Sequence, residues 1–272
     1  MSTNLSDRAA AGARPPRAFA RAVVAAGLPE EPAISAPVTE DDLTGLPASA
    51  QRYLRAMGVV GRPRTWSLRA HFVGRFRRGP DQPWMPMDAW QYNSAIEVAR
   101  LFRMRLVVGR VLPMWGWDTY RSGRGRMLGK ALGLVTVADG SGPEFDTSEL
   151  VTWLNDAVLL APAMLLRGGV GWSGDTDGSF EVSVTDAGRT VRAVVLLDDD
   201  GRPRDFRTDD RFADLPGGLV QATWSTPVEG WAVHDGRPRP VRAAAVWHLP
   251  DQEYRYGELA LADLSLDVPP GP

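Results

Sequence analysis

From Thr65 to Phe76 the chain alternates, with Trp66, Leu68, Ala70, Phe72 and Phe76 on one side and Ser67, Arg69, His71 and Arg75 on the other. A two-residue period of this kind is that of a strand buried on one face. The pattern returns over 89–98, 101–108, 115–121 and 132–138, and after a break over 180–185, 190–197, 204–212, 219–226, 241–248 and 253–264. This makes about ten strands, separated by hairpin-forming pairs such as Asp139-Gly140, Asp177-Gly178, Asp200-Gly201 and Asp235-Gly236. Strand follows strand without helical crossovers, so the reading is a mainly β protein with a large antiparallel sheet.

One segment breaks the alternation. Over 146–166, Leu150, Trp153, Leu154, Ala157, Val158 and Ala161 recur at helical spacing, and Asp146 with Glu149 has the form of a capping box. A sheet of this many strands curls, and a single apolar helix suits its hollow side. The expected architecture is a half-open barrel with this one inserted helix on the concave side. Ahead of it, residues 1–37 are rich in Ala, Arg and Pro and read as loosely ordered. Residues 38–62 read as a short helical lead-in, with Thr39 capping a turn of acidic residues and Leu46, Ala50, Tyr53, Leu54 and Met57 on one helical face ended by Gly58. Residues 63–268 form the single curved domain.

Composition then removes whole classes of chemistry. The 272 residues hold no Cys, which excludes disulfide scaffolds, thiolate catalysis and Cys-ligated metals. Three His leave little for a zinc enzyme, and His71, among arginines on the wetter side of its strand, reads as a surface residue. With 31 basic and 33 acidic residues there is no basic excess to neutralise phosphates, so no nucleic acid partner is expected. No export signal or membrane-spanning run is read, which makes the cytoplasm the expected compartment.

The glycine-rich run from Ser122 to Lys130 fails as a phosphate loop, because five residues separate Gly123 from Gly129 where four are needed and Ala131 follows the lysine; it reads as a loop between strands. The Asp198-Asp199-Asp200-Gly201 run lacks the spaced ligands of a calcium loop and reads as a hairpin turn. Polar residues in apolar settings are more informative. Asn155 and Asp156 stand directly before a run of apolar residues, and Asp156 falls into helical step with Glu149 and Thr152. That spacing reads first as a solvated stripe. The alternative points Asp156 into the hollow, held by Arg105 or Arg211 from the sheet. Asp210, flanked by Phe206 and Phe212, is a second candidate anchor. Ten Trp against eight Phe are unusual, and most are expected to fill the core, with Trp90, Trp115, Trp117 and Trp153 as candidate cavity walls beside Tyr120.

The order of segments resembles a bacterial family known as a domain of unknown function. The segments are Trp84-Met85-Pro86, Gly116 to Tyr120 with Gly123 and Gly125, Glu149 to Asp156, Ala161-Pro162, Trp172, Phe206 to Arg211, Trp224 to Pro227, and Trp247. The resemblance runs from about Leu46 to Val268 and implies no catalytic residues. More loosely, the fold is similar to the lipoprotein-carrier half-barrels, which hold acyl chains in their hollow.

The function expected from the residues is non-catalytic binding of an apolar or amphipathic small molecule, lipid-like, between sheet and helix, with no cofactor or metal. The site would comprise Trp90, Trp115, Trp117, Tyr120, Trp153, Asn155, Asp156, Asp210 and Arg211. The alternatives are an enzyme in which Asp118, Tyr120, Asp156 and Asp210 converge for acid–base work, and a structural or partner-binding module with an exposed sheet edge.

Overall fold

Residues alternating between one apolar and one polar face pair into hairpins, and the hairpins add side by side. The computed structural model describes residues 14–30, 36–109, 111–215 and 217–271. The strands are β1 (Ser67–Phe76), β2 (Met85–Ser94), β3 (Ala99–Val108), β4 (Leu112–Arg121), β5 (Arg124–Ala131), β6 (Val135–Ser141), β7 (Val170–Thr176), β8 (Ser179–Asp186), β9 (Arg189–Leu197) and β10 (Pro203–Thr208). Then come β11 (Phe212–Leu215), β12 (Gly218–Gln221), β13 (Thr223–Ser225), β14 (Trp231–His234), β15 (Arg237–Pro240), β16 (Arg242–Leu249) and β17 (Gln252–Leu266). Thirteen of them form one antiparallel sheet in the order β6-β5-β4-β3-β2-β1-β17-β16-β13-β10-β9-β8-β7, while β11-β12 and β14-β15 are separate hairpins. The meander β1–β6 therefore meets the remainder along one seam, β1 against β17, from Leu68 opposite Leu266 to Phe76 opposite Gly257.

The helices are α1 (Arg17–Ala25), α2 (Ala48–Ala56) and α3 (Pro143–Leu160). Thirteen strands at about 4.8 Å spacing would span roughly 60 Å if flat. Yet α3, a single helix, packs on β5 and β6 from one end of the sheet and on β8 and β9 from the other. The sheet is thus curled around α3 and left unclosed, since β6 and β7 do not pair. Accordingly α3 is buried on every side from Ser148 to Leu160, as an apolar helix in the middle of a core must be.

Several expectations from sequence are corrected. The helix begins at Pro143, not Asp146, and ends at Leu160 because Pro162 cannot continue it; a short 3-10 turn, Pro162–Leu165, follows. The Asp146–Glu149 capping box does not form. Asp146 instead accepts from Gly125 N at 2.7 Å and from Arg189 at 3.2 Å, and Glu149 turns to Arg100. The glycine-rich run is not a loop but β5: a side chain at Gly125 would fall 2.2 Å from the Phe145 carbonyl, so only glycine lets α3 lie this close. The strand expected over 204–212 stops at Thr208.

At the N-terminus, part of the segment expected to be loosely ordered forms α1. Its Phe19 and Val23 bury against Trp90 and Tyr92 on the convex side of the sheet. The rest of that expectation falls in part on residues 1–13 and 31–35, which lie outside the described residues. In the segment that follows, Thr39 and Asp42 make a capping box, and Tyr53 and Leu54 of α2 are fully buried. Asp175 of β7 accepts hydrogen bonds from Ala48 N and Ser49 N at the start of α2, where the helix dipole favours a carboxylate.

Candidate binding cavity

Even-numbered residues of β2, β3 and β4 do not all face the same way; what matters is the register. Asn93 pairs with Arg100 and Gln91 with Phe102, and Phe102 pairs with Asp118, so these side chains share the concave face with Met87 and Met104. Together with α3 they line a partly open cavity of about 150 Å³. Its walls are apolar, from Phe72, Phe76, Met87, Met104, Leu259 and Leu261. Its floor is polar: Gln91, Arg100, Asp118, Asn155, Asp156 and Arg211.

The floor is a buried ionic network. Arg100 Nε donates to Asp156 Oδ2 at 2.8 Å and Nη1 to Glu149 Oε2 at 3.0 Å, and Asn93 Nδ2 adds a bond to Asp156 at 3.1 Å. Arg100 is 4% exposed, Glu149 5% and Asp156 7%, so none of these charges is relieved by solvent. Burial works against the Arg100 charge, but the neighbouring carboxylates outweigh it and hold the guanidinium above its ordinary range. Burial pushes the Glu149 carboxyl up to about 7, the charge of Asp118 adding to the effect and Arg100 opposing it. Asp118 and Asp156 are raised by the same burial, against the pull of Arg100 and Arg211.

Arg211 is held differently. Its Nη1 donates to the Tyr256 hydroxyl at 3.0 Å, which also accepts from Trp224 Nε1 at 3.0 Å, and its guanidinium lies 3.9 Å from the centre of the Trp224 ring. Cation–π stacking of this kind suits arginine in a desolvated site. On the far side, Thr226 donates to Asn155. Among the described residues three buried cavity atoms have no hydrogen-bond partner: Gln91 Nε2, on a side chain 2% exposed, Asp118 Oδ1 and Arg211 Nε. Among the described residues no three His, Asp or Glu side chains are grouped to hold a metal ion.

Of the residues singled out from sequence, Asn155, Asp156 and Arg211 line this cavity. The others do not. Trp90 lies on the convex face, stacked on His71 at 4.4 Å and covered by Phe19. Trp115 and Trp117 of β4 share that outer face, Trp117 beneath Arg103. Trp153 is a core plug whose Nε1 donates to Ser94 O at 2.9 Å. Tyr120 is buried and donates to Asp186 at 2.7 Å, and Asp210 accepts from Arg192 N at 2.7 Å, so neither reaches the cavity. The solvated stripe on α3 is overturned: Glu149, Thr152 and Asp156 are all buried. Their arginine is Arg100, since Arg105 is an odd step along β3 and faces outward opposite Trp115. Arg100, Gln91, Trp224 and Tyr256 were missed. For Arg100 a signal existed: it falls in strand alternation with Phe102, Met104 and Leu106, a charge on an otherwise apolar face.

These features define an open antiparallel half-barrel with one helix laid in its hollow and a charged floor beneath an apolar cavity. The chain belongs to the family of unknown function DUF6544, which matches residues 36–259 and so includes α3 and the whole floor. No curated protein matches it. Among solved structures it is similar to a LolA superfamily protein from Nitrosomonas europaea, at 14% identity over 81% of this chain and 94% of that one, with a TM-score of 0.43. It is also similar to a DUF1329 family protein from Desulfovibrio piger, at 13% identity over 81% and 92% of the two chains, with a TM-score of 0.43.

Proposed function

We propose that the protein binds a small amphipathic molecule, apolar part in the hollow and polar end at Gln91 and Asp118. The observation that carries this reading is the cavity itself, apolar walls over a floor with an amide donor and a carboxylate oxygen left for a ligand. Ligand pockets commonly have this division of labour, apolar lining for affinity and a few polar groups for orientation. Size bounds the ligand. A volume of about 150 Å³ matches an engineered cavity that accepts benzene and is below the roughly 300 Å³ at which drug-sized pockets begin. The space therefore takes one ring or a short alkyl segment at its floor, and because the pocket is partly open the rest of a larger molecule can extend along the hollow.

Titration with N-phenyl-1-naphthylamine tests it. Saturable fluorescence enhancement is expected, weakened at least about tenfold in Met104→Trp, which fills the cavity from a half-buried position and leaves the circular dichroism spectrum unchanged. Absence of saturable binding, or equal binding by the variant, would sink the reading. A second reading, acid–base catalysis on the bound molecule, draws on Asp118 and Asp156 sharing one floor with raised pKa values. It predicts that Asp118→Asn abolishes turnover of a co-purified ligand while the naphthylamine still binds.

A further inference from the structure

Five exposed large apolar residues, among them the two most exposed of the described residues, gather at one end of the sheet; Val233, 72% exposed, stands apart on the β14–β15 hairpin. Val111 and Leu112 lie where β4 begins, and Leu132 and Leu134 stand between β5 and β6 with Val135 opening β6; Val111 is 78% exposed and Leu134 83%. The two turns lie side by side. Met114 pairs with Ala131, Leu132 N donates to Pro113 O at 3.0 Å, and Gly133 sits against the Trp115 ring. Exposed apolar surface of this extent on neighbouring hairpins marks an interaction site.

Charge selects the partner. Behind the tips, on the outer face, Arg105, Trp115 and Lys130 stand in one cross-strand row, and Arg103 with Trp117 in the next. None of these three cations makes an ion pair among the described residues. Of the nearby carboxylates, Asp88, opposite Arg105, lies 3.1 Å from His71 Nε2, and Asp139 is paired twice with Arg126 at 2.9 Å while also feeling the charge of Lys130, so the band keeps a net positive charge. Apolar tips backed by a band in which tryptophan stands level with arginine and lysine match a bilayer interface, with acyl chains at the tips and aromatic rings and cations at the anionic headgroup level. Moreover the cavity wall continues towards these tips, since Met104, Leu106, Val108 and Met114 carry the concave apolar face to the β3–β4 turn.

We infer that the β3–β4 and β5–β6 hairpin tips dock the protein onto an anionic lipid surface, with the open end of the hollow facing the membrane. This goes beyond ligand binding and stands on surface residues that do not line the cavity. Sedimentation with sucrose-loaded vesicles tests it. Binding is expected to phosphatidylcholine vesicles holding about 30% phosphatidylglycerol and to fall at least about tenfold with pure phosphatidylcholine or in about 0.5 M salt. Leu134→Glu combined with Val111→Glu, at sites too exposed to affect folding, should weaken binding about tenfold or more, and Lys130→Glu about fivefold or more. No sedimentation with anionic vesicles, or undiminished sedimentation of the double variant, overturns the inference. So does a dimer in light scattering that Leu134→Glu dissolves, which would make the tips a protein interface. The naphthylamine titration is done without vesicles, so either proposal can fail while the other survives.

Discussion

Arg100 is the residue on which the buried charges depend. Two carboxylates, Glu149 and Asp156, use it as their cationic partner under almost complete burial. Removing one member of such a network leaves the others charged and unpaired, which costs far more than the network contributes intact. Arg100→Met is expected to lower unfolding free energy by about 3–5 kcal/mol in urea titrations, and adding Glu149→Gln with Asp156→Asn should restore part of it. A loss below about 1 kcal/mol would show that the pairing does not carry the charges. Glu149 also ties stability to pH. Its folded pKa, about 7, lies above the ordinary glutamate value, so the folded state holds the proton more tightly than the unfolded chain. That contribution is complete below the unfolded pKa near 4.5 and is lost as pH rises through about 7. Melting temperature should therefore fall between pH 5 and pH 8, and Glu149→Gln should flatten the slope; a wild-type slope equal to that of the variant would remove Glu149 as its source.

At the scale of elements, the contact between α3 and β5 decides whether the hollow is covered. Glycine at 125 lets the first turns of the helix rest on the strand, and Asp146 ties the two by accepting from the Gly125 amide. Gly125→Ala pushes a methyl group into helix backbone, which cannot yield as a side chain would, so a loss of about 1–3 kcal/mol is expected in thermal or urea unfolding, with the naphthylamine site weakened as α3 lifts. Unaltered stability would mean that the helix is free to shift. This contact also explains what was legible. Strands with clean alternation, such as β1, β8 and β9, are visible in the sequence because each presents one face to the core. β5 is not, since its glycines serve close approach and leave no apolar period, and β7 is an exposed edge strand with little to bury. The helix was visible from its apolar run. The side on which Glu149 and Asp156 lie was not, because helical spacing places residues on one face without saying what that face meets.

Considered as a whole molecule, the half-barrel and the position of its helix follow from strand count and the single apolar insertion, whereas the cavity lining depends on register. Trp90, Trp115 and Trp117 are rich in apolar area, but each falls on the outward parity of its strand, which the cross-strand pairing of Arg100 and Asp118 sets and alternation alone does not. The same outward tryptophans become part of the surface on which vesicle binding is expected, so a residue class that misleads about the cavity informs about the exterior. The seam between β1 and β17 has a further consequence. α3 touches both wings, but the six-strand meander and the strands that follow it are hydrogen-bonded into one sheet only when a segment nearly two hundred residues downstream arrives, and loop closure over that distance is slow. During synthesis the two wings must wait, each with a raw inner edge, until β17 emerges and zips between β1 and β16. A nascent chain halted before Gln252 should therefore expose its unfinished flank to chaperones, and its release from them marks the moment at which the molecule closes.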